Sequence, residues 1–260
     1  MSTQQYDEIG EAYEGFKALP LEQYAVVPAF LAMVGDVAGA SILDLASGTG
    51  FHSREFKRRG ATEVLGIDIS GEMVSVAQQL EERDPLGVRY EVGDVAELRP
   101  FEQGFDIGLA VQLLSYAPDI ATTERMCRNL HRSLKPGGEL FVLNQSPDFR
   151  FDGPTPEKYG FRSELTGEEV ETGPQVRITA LLEPPVSFVA NLPRREVYEK
   201  CLQAAGFTEV TWVPLTVSDA GVREFGAEFW ADFRANPPLE MLRCRAGHTR
   251  RYGPHPGSRP

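Results

Sequence analysis

Cysteine is scarce in this sequence, which has three among its 260 residues: Cys127, Cys201 and Cys244. Because they are far apart and include no Cys-x-x-Cys pair, the sequence predicts neither a disulfide framework nor a zinc site, and we expect reduced thiols. An HExxH motif is also missing, as is any cluster of metal-binding side chains. No metal is therefore expected in the functional site.

Positive charge is also in short supply. Lysine and arginine together number 26 against 38 aspartates and glutamates, which gives a net charge of −12. Such a surface would repel a phosphate backbone, so nucleic acid is a poor candidate for the partner. No run reaches the ~20 apolar residues of a membrane helix, and the opening MSTQQYDEIG is polar and acidic, unlike a signal peptide. We therefore expect a cytoplasmic protein that binds neither nucleic acid nor membrane, as a monomer or a homo-oligomer.

From residue 41 onwards, the sequence contains a regular alternation of short apolar runs and longer amphipathic runs. The apolar runs are aliphatic on both faces, as buried parallel strands require; they are SILDLA, EVLGID, VRYEV, FDIGLAV and ELFVLN. The amphipathic runs between them predict helices, with Ser70 as a candidate N-cap. The segment KPGG, which ends the third of these helices, predicts a turn. Strand and helix in repetition predict an α/β sheet with right-handed crossovers.

Residues 1–36 lie before this alternation. Tyr6, Ile9, Tyr13 and Phe16 are spaced three and four residues apart, which places them on one helical face. Such a face belongs either to a helix packed on the core or to a flap that closes over a ligand. The proline-containing break that follows favours the flap, so we predict an N-terminal helical flap or cap.

The predicted core covers residues 37–145, and residues 146–192 predict a substrate lid inserted after it. The insertion begins as a long loop rich in proline, glycine and charge, and continues as a strand pair broken at Pro184-Pro185. Residues 193–246 complete the sheet with a helix, a strand, a single helix GVREFGAEFWADFRAN and a last strand. Residues 247–260 have little apolar content and predict a disordered tail.

The stretch ILDLASGTGFHS places an aspartate, Asp44, just before a turn of small residues. No Lys-Ser/Thr follows the glycines, which excludes a phosphate-binding P-loop. A dinucleotide-binding turn has a third glycine where this sequence has Ser53, so that interpretation is weakened. An acidic residue beside the turn instead suits a ligand that carries an ammonium group.

The next two strands also end in aspartates, Asp68 in GIDIS and Asp94 in GDVAEL. The carboxyl ends of neighbouring parallel strands line one crevice, so Asp44, Asp68 and Asp94 should face the same ligand. Asp68 is placed to bind both hydroxyls of a ribose, and Asp94 to accept from an adenine amino group. Each aspartate alone could equally cap a helix. Together they indicate a ligand with an amine, a ribose and an adenine, which is S-adenosylmethionine.

This series of motifs resembles that of class I S-adenosylmethionine-dependent methyltransferases. The motifs are DLASGTG, GIDIS, GDVAEL, FDIGLAVQLLSYAPD and LKPGGEL, within residues 41–145. The resemblance implies an α/β Rossmann-like sheet of seven strands, mostly parallel with an antiparallel last strand. Ala46 departs from the pattern, since many members have the first glycine there. The segments YDEIGEAYEGF and PDF…KYG, the Pro-Pro strand region and the Phe229-Trp230 pair further resemble toxoflavin-type methyltransferases, which act on a small azapteridine nitrogen in secondary metabolism and antibiotic biosynthesis.

The resemblance also implies which residues bind the cofactor. The turn after the first strand would hold the methionine part, the second strand end the ribose, the third the adenine edge, and the fourth the sulfonium. The residues so assigned are Asp44, Ala46, Ser47, Gly48, Gly50, Asp68, Ile69, Met73, Asp94, Val95, Val111 and Gln112. Tyr13, on the aromatic face of the predicted flap, is expected to close over the cofactor as well.

Methyl transfer from a sulfonium needs positioning and exclusion of water, and no nucleophilic side chain. A base is needed only if the acceptor loses a proton. His52, in the first turn of its helix, is a candidate because the helix dipole disfavours its charged form; alternatively it packs beside the cofactor. Tyr116 follows the fourth strand and should lie at the mouth of the crevice, where it either orients the acceptor or packs against the lid.

The residues predicted to bind the acceptor are Tyr6, Phe16, Asn144, Phe188 and Trp230. Asn144, at the end of the fifth strand, would orient the acceptor by hydrogen bonds, and an apolar, aromatic wall is predicted from Phe149, Phe151, Phe161, Phe188 and Trp230. Such a wall suits a flat, poorly charged compound, so we expect N-, O- or C-methylation of a small aromatic or heteroaromatic natural product. Two other functions stay open: a non-catalytic protein that binds S-adenosylmethionine, and an NAD-dependent oxidoreductase, which Ser53 disfavours.

Overall fold

The structure is a computed structural model that describes residues 15–99 and 101–247. Its first long element is a helix that begins as a π-helical turn, Glu22–Val26, and continues as α1, Val27–Val34. The helix is apolar on most of its surface, and Phe30 is fully buried. This segment therefore packs into the core, as a helix that is apolar nearly all round must.

A seven-stranded sheet forms the centre of the molecule. Its strands are β1 Ser41–Leu45, β2 Glu63–Asp68, β3 Arg89–Val92, β4 Phe105–Val111, β5 Leu134–Gln145, β9 Phe207–Val213 and β10 Leu239–Ala246. Their order is β3-β2-β1-β4-β5-β10-β9, and every pair is parallel except the two that involve β10. The predicted fold class, a mostly parallel Rossmann-like sheet with an antiparallel last strand, is confirmed.

Four helices connect these strands and cover the sheet: α2 Phe51–Arg58, α3 Gly71–Arg83, α4 Ile120–Ser133 and α5 Arg195–Ala205. The predicted N-cap is confirmed, because the Ser70 hydroxyl accepts from the Met73 amide at 3.2 Å. Asp119 caps α4 in the same way, accepting from the Thr122 amide at 2.6 Å. Side chains from the strands and these helices form two separate hydrophobic clusters.

The KPGG segment differs from the predicted simple turn, because it is a bulged start of β5. Phe105 pairs with Leu134 and Ile107 pairs with Glu139, so residues 135–138 of β5 loop out of the ladder. Gly137, with φ of 82°, makes the sharp change of direction that this excursion needs.

The insertion after β5 forms a second, three-stranded antiparallel sheet: β6 Phe161–Val170, β7 Gly173–Ala180 and β8 Val186–Asn191. The break predicted at Pro184-Pro185 lies between β7 and β8. The prediction of a long loop before this strand pair is wrong over residues 161–170, which form β6. This strand pairs on one side only and exposes most of its charged side chains to solvent, so its sequence lacks the apolar pattern of a buried strand.

The single helix predicted after β9 is two short helices, α6 Asp219–Phe225 and α7 Ala231–Ala235. Gly226, with φ of 82°, ends α6 in a conformation that continues no helix. Trp230, just before α7, lies in an aromatic cluster, where its ring stacks on Tyr159 with the ring centroids 5.0 Å apart.

Several domain predictions extend past the described residues. Tyr6 and Tyr13 of the predicted flap lie outside them, and so do residues 248–260 of the predicted tail. Phe16 is described: it is buried and packs its ring parallel to Phe188, with centroids 6.2 Å apart. No helix in the described ranges is both long and apolar enough to cross a membrane.

Candidate functional site

The turn after β1 has a backbone that favours small residues. φ is positive at Ala46 (65°) and Gly50 (83°), a conformation that costs a non-glycine residue ~1 kcal/mol. A β-carbon on Gly50 would lie 2.3 Å from the Tyr90 hydroxyl, so this position requires glycine. The amides of Ala46 and Ser47 donate to the Ile67 carbonyl at 2.8 and 3.1 Å. The turn is thereby fixed against the end of β2, and its strained Ala46 occupies the position where the resemblance implies glycine.

Asp68 lies at the end of β2 and joins the turn to the next helix. One carboxylate oxygen accepts from the Gly48 amide at 2.8 Å, and the other from the Ser70 amide at 2.9 Å. Asp68 is thus held in place by backbone donors and borders the cavity described below.

Asp94 follows β3 and caps a short 3-10 turn, Val95–Glu97, by accepting from the Ala96 amide at 2.8 Å. This is the capping role that was left open for each aspartate. It uses one carboxylate oxygen, Oδ1, while the residue also borders the same cavity as Asp68. Capping and ligand binding are therefore compatible at Asp94.

A cavity of about 300 Å³ lies at the carboxyl ends of β1, β2, β3 and β4 and is closed on one side by β8. Most of the residues predicted to bind the cofactor line it: Ala46, Gly48, Asp68, Ile69, Met73, Asp94, Val95, Val111 and Gln112. Tyr116 and Phe188 line it as well. The structure therefore brings together the ends of four strands, as the parallel topology predicts.

Asp44 does not line this cavity. Its carboxylate is buried and accepts from the Ser53 hydroxyl at 2.6 Å. Burial raises the pKa of Asp44 to about 6, and the Ser53 hydrogen bond opposes the rise. The serine that replaces the third glycine thus satisfies a buried acid, and we assign Asp44 to holding the turn instead of to direct ligand contact.

His52 also lies away from the cavity lining. Its ring packs edge-on against Phe30 and Phe51, with both centroid distances 5.2 Å. Burial, with the nearby Lys17 charge, lowers the pKa of His52 to about 4. The imidazole is neutral as expected, although burial is the main cause, and the structure favours the packing alternative over the base.

A second, smaller cavity of about 50 Å³ adjoins the first. Gln112 and Phe188 line both cavities and so form the junction between them. Phe16, predicted to contact the acceptor, lines the second cavity, and so does the carboxylate residue Glu22, which the sequence analysis did not single out. An acidic residue at the start of an otherwise apolar helix was the signal available in the sequence.

Asn144 and Trp230, both predicted to contact the acceptor, line neither cavity. Asn144 is buried behind Ser115, whose hydroxyl donates to its amide oxygen at 3.1 Å. Trp230 is fully buried and donates from its indole nitrogen to the Gly221 carbonyl at 2.9 Å. We therefore assign Trp230 to the core, and Asn144 to supporting Ser115, which does line the larger cavity.

The sequence analysis missed the part of the wall that β7 and β8 supply: Gln175, Val189, Ala190 and Asn191. Asn191 is tied to the main sheet's loops, since its amide donates to the Ala117 carbonyl at 2.9 Å. Within residues 15–99 and 101–247, no group of three His, Cys, Asp or Glu side chains could hold a metal ion.

Comparison with known proteins places this site in context. Residues 42–138 match the family model described as a methyltransferase domain. The chain is similar to "Ubiquinone biosynthesis O-methyltransferase" of Coxiella burnetii, at 33% identity over 112 residues, covering 43% of this chain and 46% of the relative. The protein of the same name from Xanthomonas oryzae pv. oryzae is 37% identical over 115 residues, with the same two coverages. The chain thus spans about half the length of these curated relatives.

Solved structures share the fold over most of the chain. An S-adenosylmethionine-dependent methyltransferase from Mesorhizobium loti has a TM-score of 0.62 at 22% identity, covering 88% of this chain and 99% of the other. The CcbJ methyltransferase from Streptomyces caelestis has a TM-score of 0.60 at 19% identity, covering 85% and 88%. At these identities the likeness shows the fold. The family match and the relatives' names support a methyltransferase domain over residues 42–138.

Proposed function

We propose that this protein transfers the methyl group of S-adenosylmethionine to a small aromatic or heteroaromatic acceptor. The observation that carries the proposal is the cavity at the ends of four parallel strands, bordered by two carboxylates and adjoined by a smaller aromatic cavity. The carboxylates suit the hydroxyl and amino donors of the cofactor. Phe188, at the junction of the two cavities, suits a flat acceptor whose ring lies there.

The residues present fit this cofactor. Asp68 would hold the ribose, with Ile69 and Met73 against the adenine ring and Asp94 at its amino edge. Ala46 and Gly48 present the turn that would hold the methionine part to the cavity. The buried Ser47 hydroxyl, which has no hydrogen-bond partner among the described residues, faces Gly66 on β2.

When bound, the cofactor supplies an electrophilic methyl group on a cationic sulfur. The chain's own contribution is to orient and enclose. Gln112, at the junction of the two cavities, would flank the reacting centre, and Tyr116 would orient the acceptor from the cofactor side. Phe188 and its partner Phe16 would exclude water, which strengthens the interactions inside the site. Alignment of the reacting atoms, without covalent catalysis, provides the rate enhancement.

The class of acceptor is also a proposal. An O-methyltransferase of ubiquinone biosynthesis is among the relatives, and CalS10, among the similar structures, is named as an amino pentose methyltransferase involved in calicheamicin biosynthesis. The aromatic residues Phe16, Phe161 and Phe188 around the second cavity favour an aromatic or heteroaromatic natural product, of which azapteridines are one class. The net charge of −12 supports a protein that does not bind nucleic acid.

The Asp68→Ala variant tests the cofactor site. We expect it to lose ~1.5–3 kcal/mol of S-adenosylmethionine binding free energy, the magnitude of charge-assisted hydrogen bonds, as measured by titration calorimetry. The matched control is Glu63→Ala, at the opposite end of the same strand, where Glu63 forms an exposed ion pair with Arg89. An exposed pair contributes little, so this control should bind as the wild type does.

Unchanged binding by Asp68→Ala would contradict the ribose assignment. Turnover is tested separately with methyl-labelled cofactor and a panel of phenols and N–H heteroaromatic compounds. Tight cofactor binding without transfer to any of them would favour the non-catalytic alternative. Fluorescence titration with NADH that showed binding in place of S-adenosylmethionine would favour the oxidoreductase.

A further inference from the structure

Glu22 projects a half-buried carboxylate into the second cavity. Among the described residues, none donates a hydrogen bond to it or forms an ion pair with it. The side chains that share the cavity are apolar or neutral: Phe16, Leu21, Gln112, Gln145, Phe161, Ser163, Ile178, Phe188, Pro238 and Leu239. Burial alone raises the pKa of Glu22 to about 7. A carboxylate kept in such surroundings opposes folding, and groups of this kind concentrate at functional sites.

Charged groups on the surrounding elements are engaged elsewhere. The Lys17 ammonium lies 4.5 Å from the centre of the Phe51 ring, and the Tyr24 ring packs edge-on against Phe225. On the strands next to the cavity, Arg162 pairs with Glu157, Glu240 pairs with Arg195, and Glu164 and Arg177 are exposed. Asp148, in the loop after β5, pairs with Arg195 as well.

The second cavity, which Glu22 lines, adjoins the larger cavity. Within the described parts of the chain, only Gln112 and Phe188 line both cavities. Gln112 has a φ of 55°, a strained conformation for a non-glycine residue that often marks a functional site. A volume of about 50 Å³ is too small for an aromatic ring but can hold a polar end group or a water molecule. The second cavity is therefore suited to the proton-bearing end of an acceptor whose ring lies at the junction.

We propose that Glu22 is the base of the reaction and that the acceptor presents an O–H or N–H group to it. This inference rests on the proposed methyl transfer. In the step, the lone pair of the acceptor oxygen or nitrogen forms a bond to the methyl carbon. The carbon–sulfur bond breaks with its electron pair going to sulfur, and the acceptor proton passes to the Glu22 carboxylate. The products are S-adenosylhomocysteine, the neutral methylated acceptor and a protonated Glu22.

The charges make this assignment physically favourable. The step removes one positive charge, from the sulfonium, and one negative charge, from Glu22, inside an apolar site, where separated charges are costly. Before the step, the sulfonium across the junction stabilises the carboxylate, since a nearby opposite charge favours the ionised form of an acid. Glu22 is thus ionised when the methyl donor is bound and is readily protonated once the charge is gone.

The test compares S-adenosylmethionine with S-adenosylhomocysteine, which lacks only the methyl group and the sulfonium charge. Calorimetric titrations in buffers of different ionisation enthalpy, at about pH 6.5, measure the protons released on binding. A shift of ~1 pKa unit by the sulfonium would release about half a proton more with S-adenosylmethionine than with S-adenosylhomocysteine. Protons linked to Asp44 or to the amino group shared by both ligands largely cancel in the difference.

In the Glu22→Gln variant we expect both ligands to bind and the difference in proton release to disappear. With any acceptor found in the labelled-cofactor panel, methyl transfer by this variant should fall ~100-fold or more, the usual contribution of a base, and Glu22→Asp should recover part of it. A difference in proton release that persists in Glu22→Gln, or an undiminished transfer rate, overturns the inference. Failure of the wild type to bind either ligand overturns instead the proposed function.

Discussion

Glu22→Gln should stabilise the protein at alkaline pH while removing its base. The pKa of Glu22 in the folded protein is about 7, raised from an ordinary value of 4.5. Between these two values the folded state binds more protons than the unfolded state does, so the free energy of unfolding falls as the pH rises through this window. Below it, both states are protonated and the penalty vanishes. Because glutamine carries no charge, the unfolding free energy of Glu22→Gln does not fall in this way as the pH rises.

The size of the effect follows from the pKa difference. At ~1.4 kcal/mol per unit the full penalty is about 3 kcal/mol, of which ~2 kcal/mol should develop between pH 5 and pH 8 because part of the window lies below pH 5. Urea unfolding followed by tryptophan fluorescence at both pH values measures it. Glu82→Gln removes the same charge from the exposed surface of α3 and serves as the control. A stability difference between Glu22→Gln and wild type that is equal at both pH values would refute the reasoning.

Two further predictions concern the turn after β1. Ser53→Ala leaves the buried Asp44 carboxylate without its hydroxyl donor, so we expect a loss of ~1–3 kcal/mol in unfolding free energy. Because the pKa of Asp44 then rises further, the loss measured by urea titration should be larger at pH 8 than at pH 5. An equal loss at both pH values would mean that Asp44 is not ionised in the wild type. His52→Phe keeps an aromatic ring against Phe30 and should retain the wild-type rate of methyl transfer, whereas a ~100-fold loss would restore His52 as the base.

Apolar patterning predicted the parallel strands because a strand buried on both faces is aliphatic throughout, whatever its partners. It missed β6, whose charged side chains face solvent from the edge of a sheet and look like a loop in the sequence. The positions of Asp68 and Asp94 at strand ends correctly predicted that they line one cavity, because the carboxyl ends of neighbouring parallel strands meet in any such sheet. The same logic placed Asp44 beside them, but its carboxylate accepts from Ser53, in the first turn of α2, and does not line the cavity. Glu22 could not be identified from the sequence, because the second cavity that it lines is formed by elements that are distant in sequence.

The second sheet, β6 to β8, has a consequence for how this protein can diversify. The insertion supplies a contiguous part of the wall facing the acceptor, namely Phe161, Ser163, Ile178 and Phe188, whereas the proposed contacts to the cofactor come from residues 46–116 and Met126. Substitutions in the insertion can therefore reshape one half of the site while the strand ends that hold the cofactor keep their backbone hydrogen bonds. A new acceptor preference can arise in a single stretch of the gene, with the universal methyl donor left in place.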